Sequence, residues 1–468
     1  MSAQKSREKR SVAAWAQGII GATVVITGIP AVAGLFAMGI IPERFLYIAV
    51  SIYVLLAGLA VWQLLRKPRG KWQSAALMAM GVVIIIVNVY AYAGGRAIDL
   101  FMSRVQQPNI SYVEYAVIAK KGQPVTVDSA TSVGMVGTDS LHEASAKALA
   151  DVTPAGQSSY DNMTVLTERL TSGSIELASL RQANLDMLHE NYQEFYDSVS
   201  VLATYKVRDD QRDVSDVDVR KPFVMYISGI DTYGDVDKVS RSDVNILAVV
   251  NPGRRTMLLV TTPRDYYVKL HGTAGPPDKL THAGLYGITM SRQTLSDLYG
   301  VDIPYYVRLN FTSLVRMVDV VGPITVQSDY AFKSFKVGEN TLTSKQALEF
   351  ARERYSFAEG DRQRGRNQQK VIEAMVAKMS EPQNIIRYSS ILHTLQDSLQ
   401  TNMSQASIAT LAKAQLDDMK RWKVESISVN GTGAMRQTYS MGAMPLYVMI
   451  PDATSVEYAK KKIDAYLR

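Results

Sequence analysis

"RSDVNILAVVNPGRRTMLLVTTPRDYY", residues 241–267, is the stretch whose reading decides the fold. Two runs of Val, Ile, Leu and Met flank "NPGR", a turn signal, so the stretch predicts two neighbouring buried strands. "FVMYISGID" (223–231) precedes them as a third strand. Downstream, a helix near "MSRQTLSDLYG" (290–300), a strand in "IPYYVRLN" (303–310), a helix in "FTSLVRMVDVVG" (311–322) and the strand "ITV" (324–326) follow one another. That alternation predicts an α/β sandwich, a central mixed sheet with helices on both faces.

Upstream the character changes. Three apolar runs, roughly 18–41, 45–65 and 76–94, each reach the ~20 residues a helix needs to cross a bilayer. No small-residue cleavage site separates them, so they predict permanent spans rather than a leader peptide. Lys5, Arg7, Lys9 and Arg10 precede the first run, and Arg66, Lys67, Arg69 and Lys71 lie between the second and third. Positive charge stays in the cytoplasm, which predicts a multi-pass cell-membrane protein with everything beyond about residue 95 extracellular. With Glu8 set against them, these eight cations account for the whole formal net charge of +7. The outer part is thus close to neutral, which argues against a nucleic-acid partner. The chain has no cysteine, which excludes disulfides and thiolate chemistry and suits an extracytoplasmic protein of a Gram-positive bacterium.

Three regions result: 1–97, the cytoplasmic N-terminus and three transmembrane helices; 98–215, a small α/β accessory domain; and 216–468, the main domain. In the accessory region, β-prone "YVEYAVIA" and "SVSVLATYKV" bracket helical stretches near "LHEASAKALA" and "RQANLDMLHENYQEF". "RDDQRDVSDVDVRK" (208–221) reads as a connector. The tail from about 385 predicts helices, one strand ("VESISV") and a closing amphipathic helix.

The candidate site begins with "EGDRQRGRNQQKV" (359–371). Val371, Ile372, Met375, Val376 and Met379 recur at helical spacing, and the same face continued backwards takes in Gln368 and Arg364. Arg362, Arg366 and Lys370 fall on the opposite side, the ordinary place for a solvated basic face. A charged group continuing an apolar stripe implies something anionic facing it. Asp361 is the expected N-cap. In "TSKQALEFARERY" (343–355), Thr343 and Gln346 have capping-box spacing, which starts a helix there and brings Arg352 into its last turn. Asp231, Arg241, Asp243, Arg264 and Asp265 stand at ends of the expected strands, where they converge on one rim if the strands are neighbours.

"RSDVNILAVVNP", "TTPRDYYV", "KLTHAGLYG", "YYVRLNFTSLVRMVDVVGPITV", "ALEFARERY" and "DRQRGRNQQKVIEAM", in that order, closely resemble the LytR-CpsA-Psr family of cell-envelope glycopolymer transferases. The resemblance covers about 220–385, with "TTPRD" where many members have "SIPRD". Three spans and an additional domain look like the capsular-polysaccharide members. The resemblance implies an enzyme that moves capsular polysaccharide or a related glycopolymer from an undecaprenyl (polyprenyl) pyrophosphate carrier to peptidoglycan. It further implies Mg²⁺ held by Asp231 and Asp243, with Arg241 orienting or neutralising the same edge. Arg264, Arg352, Arg354 and Arg364 form a pyrophosphate clamp with Gln368 as a neutral donor, because planar guanidinium forks match phosphate oxygens and stay charged. Asp265 is expected to hold Arg264, Lys279 to be an ordinary surface lysine and His282 to be structural. The family also implies a lipid-holding pocket; a regulatory reading would seat a protein of the capsule-assembly machinery on the accessory domain. Two alternatives use the same residues: a lipid pyrophosphate hydrolase, and a non-enzymatic membrane regulator of capsule assembly that binds polyprenyl phosphate lipids.

Overall fold

A computed structural model describes the chain except residues 1, 38–42, 67–70, 106–108, 212–214, 216, 231–239, 359, 382, 385–390 and 392–398. It divides into two compact units, one of residues 1–104, 380–396 and 405–420, the other of residues 105–379, 397–404 and 421–468.

The first unit contains three helices long and apolar enough to cross a membrane, with spans at Ala14–Phe36, Phe45–Leu65 and Trp72–Arg96. Their outward faces carry large apolar side chains such as Ile26, Leu55 and Ile86, as a lipid-facing surface requires. One buried polar residue joins all three. Asn88 on the third helix donates to Val24 O (3.3 Å) and Thr27 Oγ1 (3.0 Å) of the first. It accepts from Tyr53 of the second (2.8 Å), an arrangement that satisfies its amide where water is absent.

In the second unit, residues 109–211 form a five-stranded mixed sheet, ordered Gly156–Tyr160, Ser132–Val136, Leu177–Arg181, Asn109–Lys120, Val199–Gln211. The expected connector therefore begins later than residue 208, because the last strand continues to Gln211.

A six-stranded sheet follows, ordered Leu399–Thr401, Tyr305–Asn310, Phe223–Ile230, Ser242–Asn251, Thr256–Thr261, Lys423–Ser428. Three of its strand pairs are antiparallel and two are parallel, so it is mixed. Side chains alternate between its faces. Val224, Tyr226, Leu247, Val249, Leu258 and Val260 form one buried cluster with Leu295 and Tyr299 of the helix Ile288–Tyr299 and with Val456, Ala459 and Ile463 of the closing helix Ala453–Leu467. The helices Phe311–Val321, Ser344–Arg352 and Asp361–Met379 pack together elsewhere in this unit.

The tail holds an element the sequence reading did not contain. Gly431–Thr438 and Gly442–Pro451 pair as an antiparallel hairpin, whose mixed polar and apolar run lacks a strict period-2 pattern. Met441 and Leu446 of this hairpin share a buried cluster with Leu285 and with Leu180, Leu185 and Leu188 of the 109–211 region. Arg181 also crosses between these regions. It is buried, pairs with Asp139 through Nε (2.8 Å) and Nη2, and donates from Nη1 to Leu285 O. Burial raises the Asp139 carboxyl, but the Arg181 charge together with hydrogen bonds from Arg181, Leu141 N and Tyr115 outweighs it and holds the group below the usual aspartate range.

Candidate active site

Asp243 is placed by the buried start of its strand. Ser242 beside it bonds to Tyr226 OH (2.8 Å) and Ser228 Oγ (2.5 Å), and Asn245 donates to Ser242 O (2.8 Å) while accepting from Tyr226 OH (2.6 Å). This network anchors the backbone on the side opposite the site. Gly284 of "KLTHAG" presses on the same segment so closely that a Cβ there would lie 2.7 Å from Ser240 O and Ser242 N. The helix it ends supplies Thr281, whose hydroxyl donates to Asp243 Oδ1 (2.9 Å). Arg264 Nη1 donates to the same oxygen (3.1 Å).

Asp265 stands beyond Arg264, 3.7 Å from its Nε, and is nearer to Lys279 Nζ (3.1 Å). Lys279 is therefore not a surface lysine but a half-buried ion-pair partner. His282 is buried and structural in its contacts. Its Nδ1 meets Asp278 Oδ1 (2.7 Å) and Ser440 Oγ (3.0 Å), and Ser440 N donates to Asp278 Oδ2 (2.8 Å), fastening this segment to the 431–451 hairpin.

The "ALEFARERY" segment places two arginines by a turn. The capping box forms as expected, with Thr343 N donating to Gln346 Oε1 (3.0 Å), and the helix runs Ser344–Arg352. Glu353 leaves the helix in extended conformation and faces away, accepting from Lys333 Nζ (2.6 Å) and Ser356 N (2.9 Å). Burial pushes its carboxyl up, but those hydrogen bonds outweigh it and pull it down to about 2. Arg352 and Arg354 lie on either side of this anchored residue. The Arg352 guanidinium stacks 4.1 Å from the Phe311 ring centroid, and Arg354 Nη2 donates to Tyr355 OH (2.6 Å).

The helix Asp361–Met379 brings Arg364, Gln368, Val371 and Ile372 to one lining, in the phase its apolar stripe implies. Two expectations about this helix need correction. Asp361 is its first residue rather than its cap, because Gly360 O accepts the first helical bond, from Arg364 N (3.1 Å). The opposite side is not solvated throughout: Gln363, Asn367 and Gln369 are buried. Gln363 donates to Asn367, Asn367 to Phe350 O and Gln369 to Ile427 O, so polar side chains pack this helix into the domain. Arg366 Nε donates to Gln363 Oε1 (2.7 Å), Lys370 pairs with Asp329 (2.5 Å), and Arg362 donates to Gly431 O (2.7 Å).

These elements enclose one cavity of about 430 Å³. Arg241, Asp243, Arg264, Arg352, Arg354, Arg364 and Gln368 all line it. So do Ile227, Ile230, Val244, Leu309, Leu314, Val371 and Ile372, which gives a cationic portion and an apolar portion in one space. Asp265 is outside its lining, and Asp231 lies outside the described residues, as the next residue after Ile230. The cavity also contains a residue that the sequence reading missed. Glu190, from the helix Gln182–Asn191 of the 109–211 region, accepts from Arg241 Nη1 (2.6 Å) and Nη2 (2.7 Å). Arg241 is thus paired to this carboxylate rather than set against Asp243 alone. The available signal was an acid in the last turn of a helix, where peptide dipoles disfavour negative charge.

The LytR_cpsA_psr family model matches residues 191–462. A relative from Enterococcus faecalis, named polyisoprenyl-teichoic acid–peptidoglycan teichoic acid transferase TagU, is 34% identical over 229 residues, 47% of this chain and 74% of that protein. The protein of the same name from Bacillus subtilis is 34% identical over 193 residues, 40% and 62% of the two chains. The crystal structure of B. subtilis TagV, 27% identical, aligns over 53% of this chain and 98% of that one with a TM-score of 0.45. The chain belongs to the LytR-CpsA-Psr family. It is an enzyme, a glycopolymer transferase, and carries three N-terminal helices long and apolar enough to cross a membrane.

Proposed function

We propose that this enzyme transfers a glycopolymer, capsular polysaccharide in the reading its three spans and additional region imply, from a polyprenyl pyrophosphate to peptidoglycan outside the cell. The observation that carries this reading is the composition of the 430 Å³ cavity. Five arginines suit a pyrophosphate, and the contiguous apolar lining suits the start of a prenyl chain. The names of the relatives, which specify teichoic acid and peptidoglycan, support the same donor and acceptor classes.

In this mechanism Arg264, Arg352, Arg354 and Arg364 donate to the phosphate oxygens, and Gln368 supplies a neutral donor. An acceptor hydroxyl oxygen bonds to the glycan-side phosphorus as the bridging P–O bond breaks. Polyprenyl phosphate departs with the electron pair, the hydroxyl proton passes to solvent, and a phosphodiester remains. Guanidinium groups held in place before reaction stabilise the charge that moves onto the departing phosphate.

Asp243 fits a hard cation. Its side chain is nearly buried, and both of its hydrogen bonds among the described residues fall on Oδ1, which leaves Oδ2 lone pairs for a metal. With Asp231 as the second carboxylate, Mg²⁺ held here with phosphate oxygens and water would neutralise part of the pyrophosphate charge.

The test uses the full-length protein in detergent with lipid-linked capsular glycan or teichoic acid, Mg²⁺ and purified cell-wall sacculi. Glycan joined to sacculi through a phosphodiester is expected. Free glycan phosphate produced at the same rate without sacculi would instead identify a lipid pyrophosphate hydrolase, and binding without cleavage would identify a regulator.

A further inference from the structure

The Arg241–Glu190 pair has features that a surface ion pair does not need. Both terminal nitrogens of Arg241 are committed to the two oxygens of one carboxylate, the end-on fork that a phosphate would use. Both residues line the cavity. Glu190 sits in the last turn of its helix, a locally unfavourable place for an acid, and its hydrogen bonds from Arg241 hold it below the usual glutamate range. It is also outside the segment that the family model matches, which starts at residue 191.

We propose that Glu190 occupies the Arg241 fork in place of a donor phosphate and is displaced by it, which makes Glu190 a residue that sets the affinity of the cavity for prenyl pyrophosphate. This rests on reading the cavity as a pyrophosphate site. A pyrophosphate arriving beside Arg264, Arg352 and Arg364 meets a carboxylate at the rim. To use the Arg241 fork it must take Arg241 from Glu190, which lowers its affinity. The 109–211 region thereby acts on the reaction centre directly. Its position is held by contacts independent of Glu190, the Arg181 bonds to Asp139 and Leu285 and the shared apolar cluster, so removing the Glu190 charge leaves the two regions joined.

The experiment measures dissociation constants of full-length protein in detergent for farnesyl pyrophosphate, inorganic pyrophosphate and farnesol. Glu190→Gln keeps the shape and removes the charge. It is expected to bind both anions about threefold or more tightly, the scale of a partly exposed ion pair, and farnesol unchanged. Arg241→Ala is expected to weaken anion binding, and Glu190→Gln is expected to add nothing in that background. Unchanged or weaker anion binding by Glu190→Gln, or a gain that persists without Arg241, overturns the proposal. Arg364→Ala separates this from a failure of the underlying reading. If Arg364→Ala weakens farnesyl pyrophosphate binding while Glu190→Gln does not tighten it, only the role of Glu190 falls; if Arg364→Ala has no effect, the pyrophosphate site and the role of Glu190 fall together.

Discussion

Two walls of one cavity handle positive charge differently. The wall built from residues 352–368 presents Arg352, Arg354 and Arg364, and the acid between the first two, Glu353, is turned away to Lys333. The wall built from residues 241–264 presents Arg241 and Arg264, each bonded to a carboxylate, Glu190 and Asp243 respectively. Both acids that line the cavity, among the described residues, belong to this second wall. On the first wall Arg352 stacks on the Phe311 ring and Arg354 bonds to Tyr355, whereas on the second both arginines bond to carboxylates that line the same cavity. The same residue type therefore carries different weight on the two sides.

The largest effect is expected on the first wall. Arg364→Ala removes a charge-assisted donor from the cavity, worth ~1.5–3 kcal/mol, or about ten- to hundredfold in kcat/KM for glycan attachment. Arg352→Lys should fall in the same direction, because lysine keeps the charge but loses the planar stack on Phe311. Attachment assays on membranes with matched protein levels check both.

On the second wall, Asp243→Asn tests whether the matched carboxylate has a second task. It should abolish the stimulation by Mg²⁺ expected of chelator-treated wild-type enzyme on metal restoration, with thermal stability lowered only slightly. Full Mg²⁺ stimulation in the variant would leave Asp243 as no more than the partner of Arg264 and Thr281.

A smaller effect tests how the first wall is held. Glu353 has a folded-state value of about 2 against an ordinary value of 4.5. Its contribution to stability is thus fully present above about pH 4.5 and is lost as pH falls toward 2. Glu353→Gln should lower stability by about 1 kcal/mol at neutral pH and flatten this part of the stability profile, which denaturant titration at several pH values reads.

The smallest effect is expected two residues from the largest. Arg366→Ala removes a bond to Gln363 and no lining side chain from the 430 Å³ cavity, so attachment should stay within about twofold and stability within about 1 kcal/mol. A loss equal to that of Arg364→Ala would break the division of this helix into functional and structural faces.

The legible part of the molecule was the part specified by local periodicity. Apolar runs mark the spans and strands because burial rewards continuous or alternating apolar residues. The Thr343 capping box is local hydrogen-bond chemistry between residues three apart. Arg364 and Gln368 could be placed because a helix carries its phase along its length, and Val371 to Met379 set that phase. The same wheel did not reveal that Gln363, Asn367 and Gln369 are buried, since polar residues can be buried wherever another element supplies their hydrogen bonds, and those partners are distant in sequence.

Sequence by itself determined three helices long and apolar enough to cross a membrane, most strands of the central sheet and the inward phase of Arg364 and Gln368, each through interactions between near neighbours. Only the tertiary structure decided that Glu190 meets Arg241 across 51 positions, that Lys279 serves Asp265, and that the 431–451 hairpin joins a core with residues near 185. Those pairings depend on how separate elements are brought together by burial of their apolar faces. A side chain's own neighbours in sequence carry no record of which remote charge or carbonyl that packing will bring within hydrogen-bond reach.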